Sequence, residues 1–245
     1  MMGHNHAAAG LTLGVVTAPW VGVQAPTVFA AWMVAVAGFA LLSDVDTTHS
    51  SASRMWGPLS QLLFRPVVAL AGGHRWGTHD AILAPVGFAV LAWLSARTHV
   101  SSLVMLTIAI GLALRGLTVC GLGRVGAPLN LILSSCGAWW LTQHAWADWA
   151  NLLPAAVAIG VLTHIAGDAL TTHGIPIPVV WLRKRVRVGL PLLATGGLLE
   201  AVVVSPILAS LFVWSLWTSK AAGDVPVLIG DLIRHLQHRG PGLSA

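Results

Sequence analysis

With 245 residues, 56% of them hydrophobic and only 9% charged, and a mean hydropathy of +0.80, the chain sits far from the roughly 25% charge of soluble domains. That balance argues against a soluble enzyme and for an integral membrane protein. The net charge of +5 comes from 13 Lys and Arg against 8 Asp and Glu, set in loops without the aromatic interleaving of a nucleic-acid surface. Membrane lipids, and no nucleic acid, are the expected partners.

The opening MMGHNHAAAG lacks the cationic stretch of a signal peptide, so His4 and His6 are expected to stay in the working protein. Apolar blocks follow at 11–23, 27–42, 81–96, 100–114, 128–142, 152–170 and 190–217, with a shorter amphipathic stretch at 57–72. Several fall short of the ~20 residues of a perpendicular crossing. Pro19, Pro26, Pro58, Pro85, Pro128, Pro154 and Pro191 mark block starts or kinks. The period-two alternation of a barrel is absent. Cys120 and Cys136 provide neither a disulfide framework nor a metal-ligand spacing. The pattern predicts an all-α, polytopic transmembrane bundle of about 6–8 membrane-embedded helices. One membrane domain is expected over 1–217, with a tail at 218–245 forming a short surface helix.

If each block crosses once, the loops at 43–80, 115–127 and 171–189 share a side with the N-terminus. They hold nine of the basic residues, Arg54, Arg65, Arg75, Arg115, Arg124, Arg183, Lys184, Arg185 and Arg187, against Arg97, Lys220, Arg234 and Arg239 on the other side. The positive-inside rule makes the first side cytoplasmic.

The same threading gathers the polar oddities at one membrane face. His6 precedes the first block, Asp44 and Asp46 close the second, GHRWGTHD (73–80) opens the third, and His164 with Asp168 lies near the end of the sixth. A histidine and an aspartate four residues apart share a helix face. Burying them in apolar surroundings is costly unless something binds them. Mixed imidazole and carboxylate donors suit zinc, or manganese if carboxylates dominate. One to three divalent ions fit the donor count.

In order, His6 followed by Gly10, the D-x-D of Asp44 and Asp46 with Arg54 beyond, HRWGTH from His74 to His79, the H-x-x-x-D of His164 and Asp168, and RVR before Glu200 resemble the YdjM-type inner-membrane metal-dependent hydrolases. The resemblance covers roughly 4–217. It implies a bacterial inner-membrane, multi-pass protein with His6, Asp44, Asp46, His79, His164 and Asp168 as metal ligands. That family looks distantly related to the all-helical zinc-dependent phospholipases C, which implies phosphoester hydrolysis. The chain departs from the family where a histidine normally follows the second aspartate. His49, two positions further on, is the replacement, or that ligand is missing. Asp80 after His79 stands where a small hydroxyl residue is common, and is either an added ligand or a support for His79.

The expected chemistry is attack by metal-activated water on a phosphoester of a lipid or lipid-linked substrate. Arg54, Arg75 and either Arg185 or Arg187 hold phosphate oxygens, and His74 protonates the leaving group or orients a ligand. Bland readings stand beside these. His164 and Asp168 can be a helix-packing pair, Asp44 and Asp46 a solvated helix end, and 183–187 a topology signal. His4 is the alternative to His6, and Glu200 is expected to pair with an arginine or histidine. His99, His144, His173, His235 and His238 are read as surface or packing residues. A non-catalytic protein with a structural metal and an ion-coupled transporter are the alternative functions; polar residues concentrated at one face disfavour transport.

Overall fold

The computed structural model describes residues 1–23, 25–121 and 125–219. The tail from 220 onward, with Lys220, Arg234 and Arg239, lies outside the described residues, as does Arg124. Helix α1 (Gly3–Thr17) packs along α2 (Pro26–Phe39), whose proline opens the helix where a missing N–H is tolerated. The second apolar block stops being α-helical at Phe39 and closes in a 3-10 turn, Leu42–Asp46, which carries both aspartates out of the helix end. Pro58 and Pro66 start two one-and-a-half-turn helices, α3 (Pro58–Leu63) and α4 (Arg65–Leu70). A 3-10 turn at Gly77–His79 leads into α5 (Leu83–Ser95). Next is α6 (His99–Gly116), capped by Thr98, whose hydroxyl accepts the Ser101 N–H.

Helix α2 is the centre of the bundle, packed on α1, α6 and α7 (Gly126–Ala169). Trp32, Phe39, Met55, Leu106, Leu112, Trp149 and Leu153 are shielded almost completely. Two glycines set the helix spacing. A Cβ on Gly38 would overlap the Ala109 carbonyl oxygen of α6, and one on Gly160 would lie 2.7 Å from the Phe39 backbone. Such close backbone approach is how helices associate in a bilayer, where apolar bulk gives no preference for protein over lipid.

The blocks at 128–142 and 152–170 belong to one helical element, and 143–151 is helix rather than a loop. Its arms nevertheless return to one end of the bundle. Asn130 donates to the Gly111 carbonyl on α6, Gly116 of α6 lies against Leu41, and Gly160 lies against Ala40. That chain of contacts is far shorter than the ~45 Å separating residues 130 and 160 on a straight helix. Helix α7 is therefore bent, and both its ends stand near the turn after α2.

Among the described residues three helices are long and apolar enough to cross a membrane: His99–Gly116, Trp149–Ala169 and Glu200–Thr218. Pro26–Phe39 and Leu83–Ser95 are apolar but shorter. The seven blocks of the sequence pattern reduce to these because residue type marks apolarity without marking helix length. The block at 190–217 shows the difference. Its first residues form a loop, with the Leu190 and Leu193 amides donating to the Ala169 and Leu170 carbonyls. Helix begins only near Glu200, as a π-turn (Glu200–Val204) running into α8 (Ser205–Thr218). A minimal antiparallel ladder, β1 (Ile175–Pro176) with β2 (Arg187–Val188), interrupts the otherwise helical fold and holds the 183–187 basic run against the end of α7.

Candidate metal centre

The cluster is assembled from four parts of the chain. His6 comes from α1, Asp44 and Asp46 from the turn after α2, His74 to His79 from the loop before α5, and His164 and Asp168 from the last turns of α7. His6, His79, His164 and Asp168 have no exposed surface, and Asp44 is partly exposed.

Proton positions follow from the partners. The Ala40 carbonyl can only accept, so at 2.7 Å it receives a proton from His164 Nδ1, leaving a lone pair on Nε2. Thr78 Oγ1 spends its single proton on Asp46 Oδ2, 2.7 Å away, and so accepts at 3.1 Å from His79 Nδ1. His79 Nε2 is then also a bare acceptor. The two Nε2 atoms face each other at 3.1 Å. Two lone pairs at that distance repel unless a cation lies between them.

Two carboxylates complete the set. Asp168 Oδ2 lies 3.5 Å from His79 Nε2 and 3.7 Å from His164 Nε2; Asp44 Oδ1 lies 3.8 and 3.6 Å from the same two atoms. Four donors about 2.0–2.2 Å from a zinc-sized ion form a tetrahedron with edges of roughly 3.3–3.6 Å. The separations from each carboxylate to the two nitrogens bracket that range, so the facing imidazoles with either carboxylate fit a divalent ion, the two carboxylates belonging to different donor groups.

His6 forms a second group with His164 and Asp168. Its ring stacks on His164 at 3.8 Å, its Nε2 is 3.3 Å from Asp168 Oδ1, and neither nitrogen has a hydrogen-bond partner. The Met1 amino group also donates to Asp168 Oδ1. Because His164 offers only Nε2, a second ion would rely on Asp168 bridging through its two oxygens. His4 turns to Ser205 at 3.3 Å, and of the two N-terminal histidines it is His6 that stands in a donor group.

Asp46, expected as a ligand, stands outside both donor groups. Its oxygens pair with His74 Nδ1 at 2.8 Å and accept from the Arg75 amide at 3.0 Å and Thr78. Burial pushes its pKa up, but the bond from His74, the nearby His79 ring and the bond from Thr78 more than offset this and hold it well below the carboxylate range. The same hydrogen bond raises the pKa of His74 above the ordinary imidazole value, against the opposing effect of burial. Asp46→Asn is therefore expected to lower the His74 pKa and loosen the 74–79 loop; histidine proton shifts followed through a pH titration report both.

The arginines divide. Arg75, at φ +63°, directs its guanidinium to Asp168 Oδ2 at 3.3 Å. Arg187 donates to the His74 carbonyl at 3.2 Å and lies over Trp76; Arg185 donates to the Gly72 carbonyl on the other flank of that indole. Arg54 is exposed and committed to the His49 and Ser50 carbonyls, away from the donors, because eight residues of turn carry it out of the cluster. His49 is exposed and in neither group.

Asp80 stands in neither donor group. It locks two loops together, accepting from the Val179 amide, the Trp181 indole and the Ile82 and Leu83 amides. These donors outweigh burial and lower its pKa. Glu200 is satisfied by the Met2 and Gly196 amides and the Asn5 side chain rather than by an arginine or histidine. It pins α8 to the helix that carries His6. Thr78 and the Ala40 carbonyl, which set both tautomers, escaped the sequence reading. Thr78 carried a usable signal, a hydroxyl beside a candidate ligand.

A family model described as YdjM inner membrane protein matches residues 1–123. The chain belongs to that family. No curated protein and no solved structure matches. The part matched to YdjM contributes His6, Asp44, Asp46, His74, Arg75 and His79, while His164 and Asp168 lie beyond it. The match is thus shorter than the 4–217 over which the motif order runs, and the structure joins the two halves through the paired imidazoles.

Proposed function

We propose that the chain is a membrane-embedded, metal-dependent hydrolase cleaving a phosphoester of a lipid or lipid-linked substrate. The observation that carries this reading is the pair of bare Nε2 atoms at 3.1 Å, with Asp168 Oδ2 and Asp44 Oδ1 each within 3.8 Å of both. His79, His164, Asp168 and Asp44 would hold the ion, with His6 on the other oxygen of Asp168. Zinc suits this nitrogen and oxygen set, and manganese is the alternative. When bound, such an ion lowers the pKa of a coordinated water toward ~7 and supplies hydroxide.

The chain's own groups do the rest. Arg75 and Arg187 present planar donors to phosphate oxygens. His74, whose pKa the Asp46 hydrogen bond raises, is the group read as giving a proton to the leaving oxygen. Arg54, first read as a phosphate ligand, has no part in this arrangement. In the proposed topology α1, α2 and α5 lie in the bilayer beside the longer spans, and both arms of α7 count, giving about seven embedded segments in one domain over 1–217. The excess of basic residues in the loops on the side of the site favours the cytoplasmic face.

Purified protein is expected to release phosphate or a phosphorylated headgroup from one member of a panel of phospholipids and lipid diphosphates. Arg75→Ala is expected to lower that rate about 10²–10³-fold, as for loss of one preorganised charge-stabilising donor. A second reading rests on Asp44: were it to join His79, His164 and Asp168 as a fourth protein donor, no position would be left open for water and the ion would be structural. Stoichiometric metal with no turnover on any substrate of the panel would sink the hydrolase reading and leave that one.

A further inference from the structure

Beside the metal centre, α4, α5 and the turn at 180–182 form an apolar groove of about 370 Å³. Leu70, Leu83, Leu91 and Trp181 line its walls. The three leucines are more than two-fifths exposed. Thr78 also lines it, and the same threonine bonds Asp46 and His79. The groove and the metal centre therefore share Thr78.

The other neighbour of the groove is cationic. Trp181 packs near Trp76 with ring centroids 6.3 Å apart, and Arg185 and Arg187 flank Trp76. Arg185 is tied to Gly72, next to the groove. An apolar trough with Arg185 and Arg187 beyond Trp181 and Trp76, and Arg75 in the same loop as Trp76, complements a molecule with one apolar chain and an anionic head.

We infer that the groove is the chain subsite for a phosphate-bearing membrane amphiphile, whose head lies among Arg75, Arg185 and Arg187. The inference rests on the hydrolase reading for what happens to the head, but not for the groove itself. The occupant is a bilayer lipid rather than a soluble phosphate ester, because an apolar groove running along α5, a helix read as lying in the bilayer, takes a chain and offers a water-soluble ester nothing. From Leu83 to Leu91 the trough follows α5 for about 12 Å, enough for much of an acyl chain. Guanidinium pairs select phosphate over a neutral polar head.

Position 87 gives a clean test. A Cβ there meets nothing within 4 Å, so Gly87→Trp fills the groove without touching a metal donor. The full-length protein is reconstituted in phosphatidylcholine vesicles doped with either of two chain-diazirine probes, phosphatidic acid or diacylglycerol. After photolysis the labelled peptides are mapped, before and after chelation. The phosphatidic acid probe is expected to label 83–91 and 181–182 above the lipid-facing residues of α8, and diacylglycerol is not. Gly87→Trp should cut that labelling at least about tenfold, since displacing two buried CH₂ groups is worth that much. Val213→Trp, on the exposed face of α8, should leave it unchanged.

Equal labelling by both probes, labelling spread evenly over α8, or full labelling in Gly87→Trp would each overturn the subsite. Metal content, measured alongside, separates the two readings. A phosphate-selective groove in protein that never binds metal keeps this inference and removes the hydrolase. Bound metal with unselective labelling does the reverse.

Discussion

Detergent-purified protein is expected to carry about one equivalent of a divalent ion, and His164→Ala less than about a tenth of that, by elemental mass spectrometry. His164 is the donor common to both groups, and its Nε2 is held in place by the Ala40 carbonyl at 2.7 Å. Its removal deletes a ligand and opens a void beside His6 at once. His79→Ala, which deletes the opposing nitrogen from a different segment, separates ligand loss from helix damage. Thr78→Val keeps every donor but frees the His79 tautomer, and should weaken binding about 10–100-fold, the usual effect of a supporting partner. Arg54→Ala should change nothing, since its guanidinium is spent on local carbonyls. Metal retained in both histidine variants would mean that the facing imidazoles share a proton rather than an ion.

The sequence exposes this centre for a physical reason. Histidine and aspartate inside apolar segments must find partners, so His6, His164 and Asp168 stand out from composition alone, and the i, i+4 spacing puts the last two on one face. The structure brings these together with Asp44 and His79. Spacing does not report depth or orientation, however. Asp44 and Asp46 look equivalent in a D-x-D, yet on a 3-10 turn they diverge, one toward the imidazoles and one back into the 74–79 loop. Arg54 shows the same limit, because turn geometry cannot be read from a count of residues.

The fold is legible to a similar depth. Helical, membrane-embedded architecture follows from the apolar blocks, and three long apolar helices are present. Polar composition over 143–151 reads as a loop, but helical hydrogen bonds are local and continue through it. Because α7 bends, its two arms still meet at one end, so the gathering of His164 with the earlier ligands survives the error. Glu200 illustrates the opposite case. Backbone amides satisfy it, and backbone partners leave no trace in residue type.

Gly38→Ala is expected to destabilise the protein, although alanine at an interior helix position normally gains about 1 kcal/mol over glycine. The added Cβ would overlap the Ala109 carbonyl oxygen, and a backbone atom in a helix cannot step aside as a side-chain end can. Helices α2 and α6 must separate along a contact that also seats Phe39 against Gly160 of α7. Overpacking of this kind costs about 1–3 kcal/mol, and a clash with backbone belongs at the upper end. For a chain of this length that corresponds to a fall of roughly 6–12 °C in melting temperature, read by scanning fluorimetry in detergent. Gly87→Ala, where the Cβ meets open space, should show no such fall. The consequence reaches the metal centre, because Ala40 lies two residues beyond Gly38 and its carbonyl fixes the His164 tautomer. Metal affinity should therefore drop in Gly38→Ala even where the protein stays folded. A variant that melts like the wild type and keeps its metal would show that α2 and α6 do not cross at this glycine.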